Sequence, residues 1–310
     1  MILLTPIAPG RTRHVPSAYP TIKEAVDAAE NGDIICVSGG PYVEPQLSIQ
    51  GKTLLLYGLA WGEKVVVNLA GSPLSISNGA VLEFHDFYFT QGGYTTMETY
   101  ASTVTLARCT VMNGTFEYQG DKAIVCGGGA IRIHESEIIG CDGANLYPES
   151  THGWTGLYCF DTAHVFIQHS EFVGGNGTSG GVAPNPVGGG AGASAIRLFR
   201  CPEVVMRHCT ATGGGGGQAG GPSMMGDCAN GGSGGHGIHA ADGTHLDLCE
   251  VTALGGPGGG GSGTCSDGPP GAPVCLETGS EAVYSTCAIP TPYPPPPPLP
   301  AAALSWTLWH

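Results

Sequence analysis

Apolar residues in this chain come in short alternating runs, each interrupted by a polar or cysteine turn and closed by glycine. Five segments share that layout: STVTLARCTVMNG, AIRIHESEIIGCDG, HVFIQHSEFVGGNG, EVVMRHCTATGGGG and HLDLCEVTALGGPG. Alternation sends successive side chains to opposite faces of a strand. Val104 and Leu106, Ile131 and Ile133, and Val165 and Ile167 are therefore read as inward core. One such coil cannot bury its apolar face alone, which is why the unit repeats. The chain opens differently, between Tyr19 and Gly58. Thr21 and Glu24 have capping-box spacing. Ile22, Ala25, Val26 and Ala29 follow as one apolar helical stripe, and Asn31-Gly32-Asp33 is the predicted stop. Ile34 to Val37 reads as a buried strand, with two further short strands before Gly58.

This order of helix, strand, turn and short strands resembles the N-terminal cap and first coils of right-handed parallel β-helices, as in pectate lyases, pectin esterases and secreted β-helix-repeat proteins. The resemblance implies an all-β solenoid whose first coil is covered by the capping helix, because that end has no neighbour below it. The expected layout is an N-terminal extension over 1–18, a β-helix of roughly nine coils over 19–287, and a Pro-rich tail over 288–310. PTPYPPPPPLP, residues 290–300, reads as a stiff extended rod outside the solenoid.

All long inserts follow the same glycine break, so they are expected to leave one side of the solenoid. Segments 91–103, 114–122 and 143–156 carry aromatics; 174–194, 213–236 and 255–273 are mostly glycine. Such glycine-rich chain can pack as stacked extended strands, since no side chain blocks close approach. Cys228 and Cys265 lie at matching places in successive inserts, which predicts a disulfide between them. Alignment of the repeats puts Cys109, Ser136, Ser170, Cys209, Cys249 and Cys287 near one turn, where they can satisfy backbone groups or cross-link coils; Cys209 with Cys249 is one pairing, Cys287 the alternative partner.

Composition narrows the functional classes. The chain has 310 residues, with 53 Gly and 24 Pro, and only 12% are charged. The net charge of −14, from 11 basic against 25 acidic residues, argues against nucleic-acid binding, which needs clustered cations. It also weighs against a long anionic polymer unless a cation bridges. No apolar run approaches the ~20 residues of a membrane span. Met1 to Leu4 is too short for a signal-peptide core, so export would need a leader removed beforehand or another route. The twelve cysteines show no CxxC or zinc-finger spacing, which fits disulfides and an extracellular or cell-surface location.

The same alignment predicts rows of outward polar residues. Arg108, His134, Gln168 and Arg207 share one row; Glu135, His169 and His208 share the next; Glu137 and Glu171 follow the turn. His134, Glu135, Glu137, His169, Glu171, Arg207 and His208 are the candidate acid–base residues, because carboxylates beside imidazole or guanidinium can have shifted pKa values. Tyr94, Tyr100, Phe116, Tyr118, Tyr147 and Trp154 are the candidate ligand-binding aromatics, suited to stacking on sugar rings. Lyases of the fold that the chain resembles use acidic residues to hold Ca²⁺, with an Arg or Lys base. No matching Asp cluster is evident, so no cofactor is expected and calcium has no supporting motif. Gly235-His236-Gly237 is similar to a GHG element of polygalacturonase-like hydrolases, without their accompanying Asp motifs. His236, His239 and His245 are close in sequence, but His236 and His239 would face opposite sides of one strand. The expected function is binding of a polysaccharide, with lyase or hydrolase processing as the reaction if there is one. A non-catalytic structural or adhesive protein with self-assembly is the alternative.

Overall fold

The computed structural model describes residues 10–60, 62–90, 95–113, 122–143, 152–180, 187–221 and 228–285. Its strands form three parallel sheets. The first has ten strands, from Thr12–Val15 to Glu281–Tyr284. The second, Tyr42–Val43 to Thr252–Leu254, and the third, Ser48–Gln50 to Val274–Leu276, have eight each. The chain visits the first, second and third sheet in turn and comes back one rung higher. The described residues form a right-handed parallel β-helix of eight complete coils, close to the nine expected.

Register explains the core. Ile131 and Ile133 pair with Val104 and Leu106 on one side and with Val165 and Ile167 on the other, and all six are buried. Phe84, Phe87 and Phe89 fill the interior two coils below Ile131 and Ile133, their rings 5.4–6.1 Å apart. At the N-terminal end, Ile22–Ala28 is the helix, with Ile22, Ala25 and Val26 buried. Thr21 Oγ1 accepts the Glu24 N–H at 3.1 Å, as the capping pattern predicts. The helix closes at Ala29 in extended backbone rather than at Gly32, whose φ of +89° belongs to the following turn. Buried Glu44 accepts the Ile22 and Lys23 N–H groups, and burial pushes its carboxyl pKa up. A strand at Thr12–Val15, unforeseen in the sequence, pairs with Ile34–Val37 and extends the first sheet.

Between first and second sheets the chain turns through a single left-handed residue. Asp86, Arg108, Glu135, His169, His208 and Glu250 all hold φ between 47° and 61°. The next residue ties the turns together: Ser136 Oγ accepts from Cys109 N and donates to His134 O, while Ser170 Oγ accepts from Ser136 N and donates to Gln168 O. Two expected alignments are corrected. Arg108 stands in the Glu135–His169–His208 row, because Ala107 is the residue paired with His134. Cys249 pairs with Arg207, two places before the Ser136–Ser170 row, because the last repeat carries its cysteine at the strand end. Cys209 is a free thiol while Cys249 is disulfide-bonded, so those two do not pair; Cys287 lies outside the described residues.

The long inserts all leave between the second and third sheets. The glycine-rich ones stack as extended chains. Outgoing segments 174–180, 213–219 and 255–261 form one layer, bonded at every third residue: Gly174, Gly177 and Gly180 donate to Thr212, Gly215 and Gln218, and Gly213, Gly216 and Ala219 donate to Leu254, Pro257 and Gly260. Returning segments 189–195, 230–237 and 266–272 form a second layer with the same period. Cross-bonds such as Gly217 to Gly190 and Gly232 to Gly217 join the layers. A three-residue repeat is that of a polyproline-II-type helix. Glycine is required by distance: a Cβ on Gly217 would lie 1.9 Å from Thr178 O. Cys228 and Cys265 are disulfide-bonded with Cα atoms 5.6 Å apart, as predicted, and tie successive inserts.

Candidate functional site

The left-handed turns present their side chains outward beside the second sheet. There, Lys64, Glu135, Ser136, Glu137, His169, Ser170, Glu171, His208 and Thr210 line an open groove of about 570 Å³. Five of the seven candidate acid–base residues meet in it. Glu137 and Glu171 are registered neighbours on adjacent strands, with Thr210 next in the same row. Their carboxylates therefore face solvent on one side of the sheet, one coil apart. The imidazoles of His169 and His208 stack, with centroids 4.8 Å apart and planes 6° from parallel. His208 Nδ1 is 2.8 Å from Glu250 Oε2. Lys64 Nζ donates to Thr110 Oγ1 at 2.6 Å, and that hydroxyl lies 3.4 Å from Glu137 Oε2.

His134 and Arg207 stand one residue earlier, on the first sheet, and border the groove without lining it. The His134 ring meets His169 edge-on at 5.9 Å, and its Nδ1 lies 3.9 Å from Glu135 Oε1. Burial, with smaller contributions from His169 and Arg108, pushes the His134 pKa down against the pull of Glu135. Arg207 is held 3.7 Å from Asp247, and Arg108 makes a two-pronged ion pair with Asp86 at 2.8 and 2.7 Å. These guanidinium groups brace the row from its flanks. Among the described residues, no group of three or more His, Cys, Asp or Glu is arranged to hold a metal ion.

Lys64, Thr210 and Glu250 were missed by sequence reasoning. Lys64 lies in a coil before the recognisable repeats, and Thr210 carries no charge signal. Glu250 was legible as the residue one repeat beyond His208. His236 and His239 do approach, with centroids 5.4 Å apart, because His236 precedes the strand Ile238–Ala241 and is not bound by its alternation. His236 Nδ1 accepts the Ala272 N–H, and His239 pairs with Glu277. His245 pairs separately with Glu281.

The aromatic candidates divide. Tyr94, Phe116, Tyr118 and Tyr147 lie outside the described residues. Trp154 is built into an insert: its N–H donates to Cys141 O and its carbonyl accepts from Gly175. Tyr100 stands on the third sheet, 40% exposed, and meets Phe160 at 6.4 Å. Phe160 reaches it across Gly127, where a Cβ would lie 2.4 Å from the ring. Tyr158 continues the patch at 5.6 Å from Phe160, flanked by Lys122 and Arg197 within 6 Å of its ring. The aromatic surface therefore lies on a sheet, away from the acid–base groove.

No protein-family model matches the chain, and no curated protein matches its sequence. Among solved structures, it is similar to a pectin methylesterase variant in complex with a hexasaccharide, at 11% identity over 76% of each chain and a TM-score of 0.33. It is also similar to a pectate lyase, at 12% identity over 85% of this chain and 68% of that one, with a TM-score of 0.38.

Proposed function

We propose that this protein binds a neutral polysaccharide in the groove along the left-handed turns and hydrolyses it there, with Glu137 and Glu171 as the acid–base pair. The observation carrying this reading is the assembly of three carboxylates and two stacked imidazoles in one open groove on a rigid sheet. Carboxylates accept hydrogen bonds from sugar hydroxyls, and imidazole both donates and accepts. Glycoside hydrolysis uses two carboxyl groups, one on each side of the scissile bond. The three glutamates against Lys64, within a chain of net charge −14, favour a neutral polymer over an anionic one. The Cys228–Cys265 disulfide supports an extracellular or cell-surface setting.

The test is retention and cleavage of soluble neutral glucans, xylans and mannans by the wild type, Glu137→Gln and Glu171→Gln. Retention with cleavage lost in either variant supports the reading. Absence of retention by the wild type contradicts it. The glycine slab favours a second reading, a non-catalytic structural or adhesive protein; self-association at micromolar concentration without any glycan response would support that instead.

A further inference from the structure

The second sheet turns two kinds of side chain outward. Its inward positions, Val111, Ile138, Phe172 and Ala211, are buried core. On the turn side of that line, the outward positions register as Thr110, Glu137, Glu171 and Thr210. On the far side they register as Met112, Ile139 and Val173, each half-buried, before Thr212. Two residues of parallel strand separate the rows by about 6.6 Å. Both rows follow the solenoid axis with one side chain per coil. The groove therefore has carboxylates and imidazoles next to the turns, and an aliphatic strip that the acid–base chemistry does not use beside them. The chain leaves for the inserts directly after the strip, at Asn113, Gly140 and Gly174.

Side-chain length sets the relief. A glutamate carboxylate reaches farther from the backbone than the methyl groups of isoleucine or valine. Glu137 shares its strand with Ile139, and Glu171 shares its strand with Val173, so the carboxylates stand above an aliphatic floor. A pyranose ring lying flat on that floor brings its edge hydroxyls to the carboxylates, which accept from them. The face laid down must be apolar, because a hydroxyl pressed onto aliphatic carbon loses its hydrogen bond to water without replacement. Rings with every hydroxyl equatorial, joined through equatorial bonds, carry only C–H groups on both faces and form straight chains. An axial hydroxyl, as in mannose, enters the floor whenever its face is turned down. In a straight chain, where alternate rings turn over, that occurs at every second ring.

We propose, resting on the reading that the groove holds a neutral polysaccharide, that Met112, Ile139 and Val173 determine which one. They select chains of all-equatorial pyranose rings, glucan- or xylan-like, over chains that carry axial hydroxyls. The polymer lies along the solenoid axis, with ring faces on the strip and hydroxyl edges toward Glu137 and Glu171.

Calorimetric titration with equatorially linked glucose, xylose and mannose oligosaccharides of equal length tests this. The wild type should bind the glucose or xylose chain about tenfold or more tightly than the mannose chain, the effect of one unsatisfied hydroxyl. Val173→Thr and Ile139→Thr keep the β-branching that suits a strand and put a hydroxyl into the floor. Each should narrow the ratio several-fold, chiefly by weakening the glucose or xylose chain. Val173→Thr, the nearer to isosteric, carries the test alone if Ile139→Thr fails to fold. Val205→Thr, outward on the first sheet, is the control and should leave the ratio unchanged. Binding without discrimination, a preference for the mannose chain, or a ratio that the floor variants leave unaltered overturns the proposal while the groove reading stands. Equal narrowing by the control overturns it as well. Absence of binding of any chain by the wild type removes both.

Discussion

Three groove side chains, at the left-handed turns, owe their direction to one backbone angle. A non-glycine residue in the left-handed region costs about 1 kcal/mol or more, and Glu135, His169 and His208 all bear that cost in successive coils. Glycine would relieve it, so His169→Gly should melt at or above the wild-type temperature while glycan retention falls several-fold. A drop in melting temperature with retention intact would contradict the assignment of this row to binding. Protonation provides a second handle. Burial is the first cause that lowers both the His134 and His236 pKa values, and the neighbouring His239 lowers that of His236 further. With the folded pKa depressed, the unfolded chain binds more protons as pH falls through about 6.5, the ordinary histidine value. Stability from these two residues is complete above that pH and is lost below it, toward their folded values. Denaturant midpoints between pH 8 and 5 should decline, and His134→Gln with His236→Gln should flatten the decline. Residue types at the groove were legible because carboxylate and imidazole recur at one place in the repeat. Their exact rows were less so: Ala107 and Cys249 each end a strand in a way that apolar alternation alone does not register.

At the scale of elements, close approach of backbone decides what the inserts can be. Gly217 has a neighbouring carbonyl 1.9 Å from where a Cβ would sit, whereas at Gly260 the nearest atom is 3.9 Å away. Gly217→Ala should therefore cost about 1–3 kcal/mol, the usual range for overpacking, and Gly260→Ala should be close to neutral in the same thermal melt. Cys228→Ser should lower stability by roughly 2–4 kcal/mol under oxidising conditions, with no effect after reduction. The capping helix was readable from Thr21 and Glu24, since its cap bond is local. Its end was not, because Lys52, which follows the first coil, donates to the Val26 and Asp27 carbonyls there. Stacking of glycine chains could be expected from composition, but the division into outgoing and returning layers depends on pairings between segments far apart in sequence.

For the whole molecule, the solenoid was legible because every coil repeats the same alternation and buries it against the next. Parallel winding then places the long inserts on one side and leaves the short left-handed turns clear, so an uninterrupted groove runs across several coils. The proposed function is tied to that groove by chemistry and position together. The most direct measurement is calorimetric titration of the wild type and a Glu137→Gln/Glu171→Gln double variant with soluble neutral oligosaccharides, at fixed pH and salt. The account predicts saturable binding by the wild type that weakens at least tenfold in the double variant. Absence of binding by the wild type, or equal binding by both proteins, would contradict it.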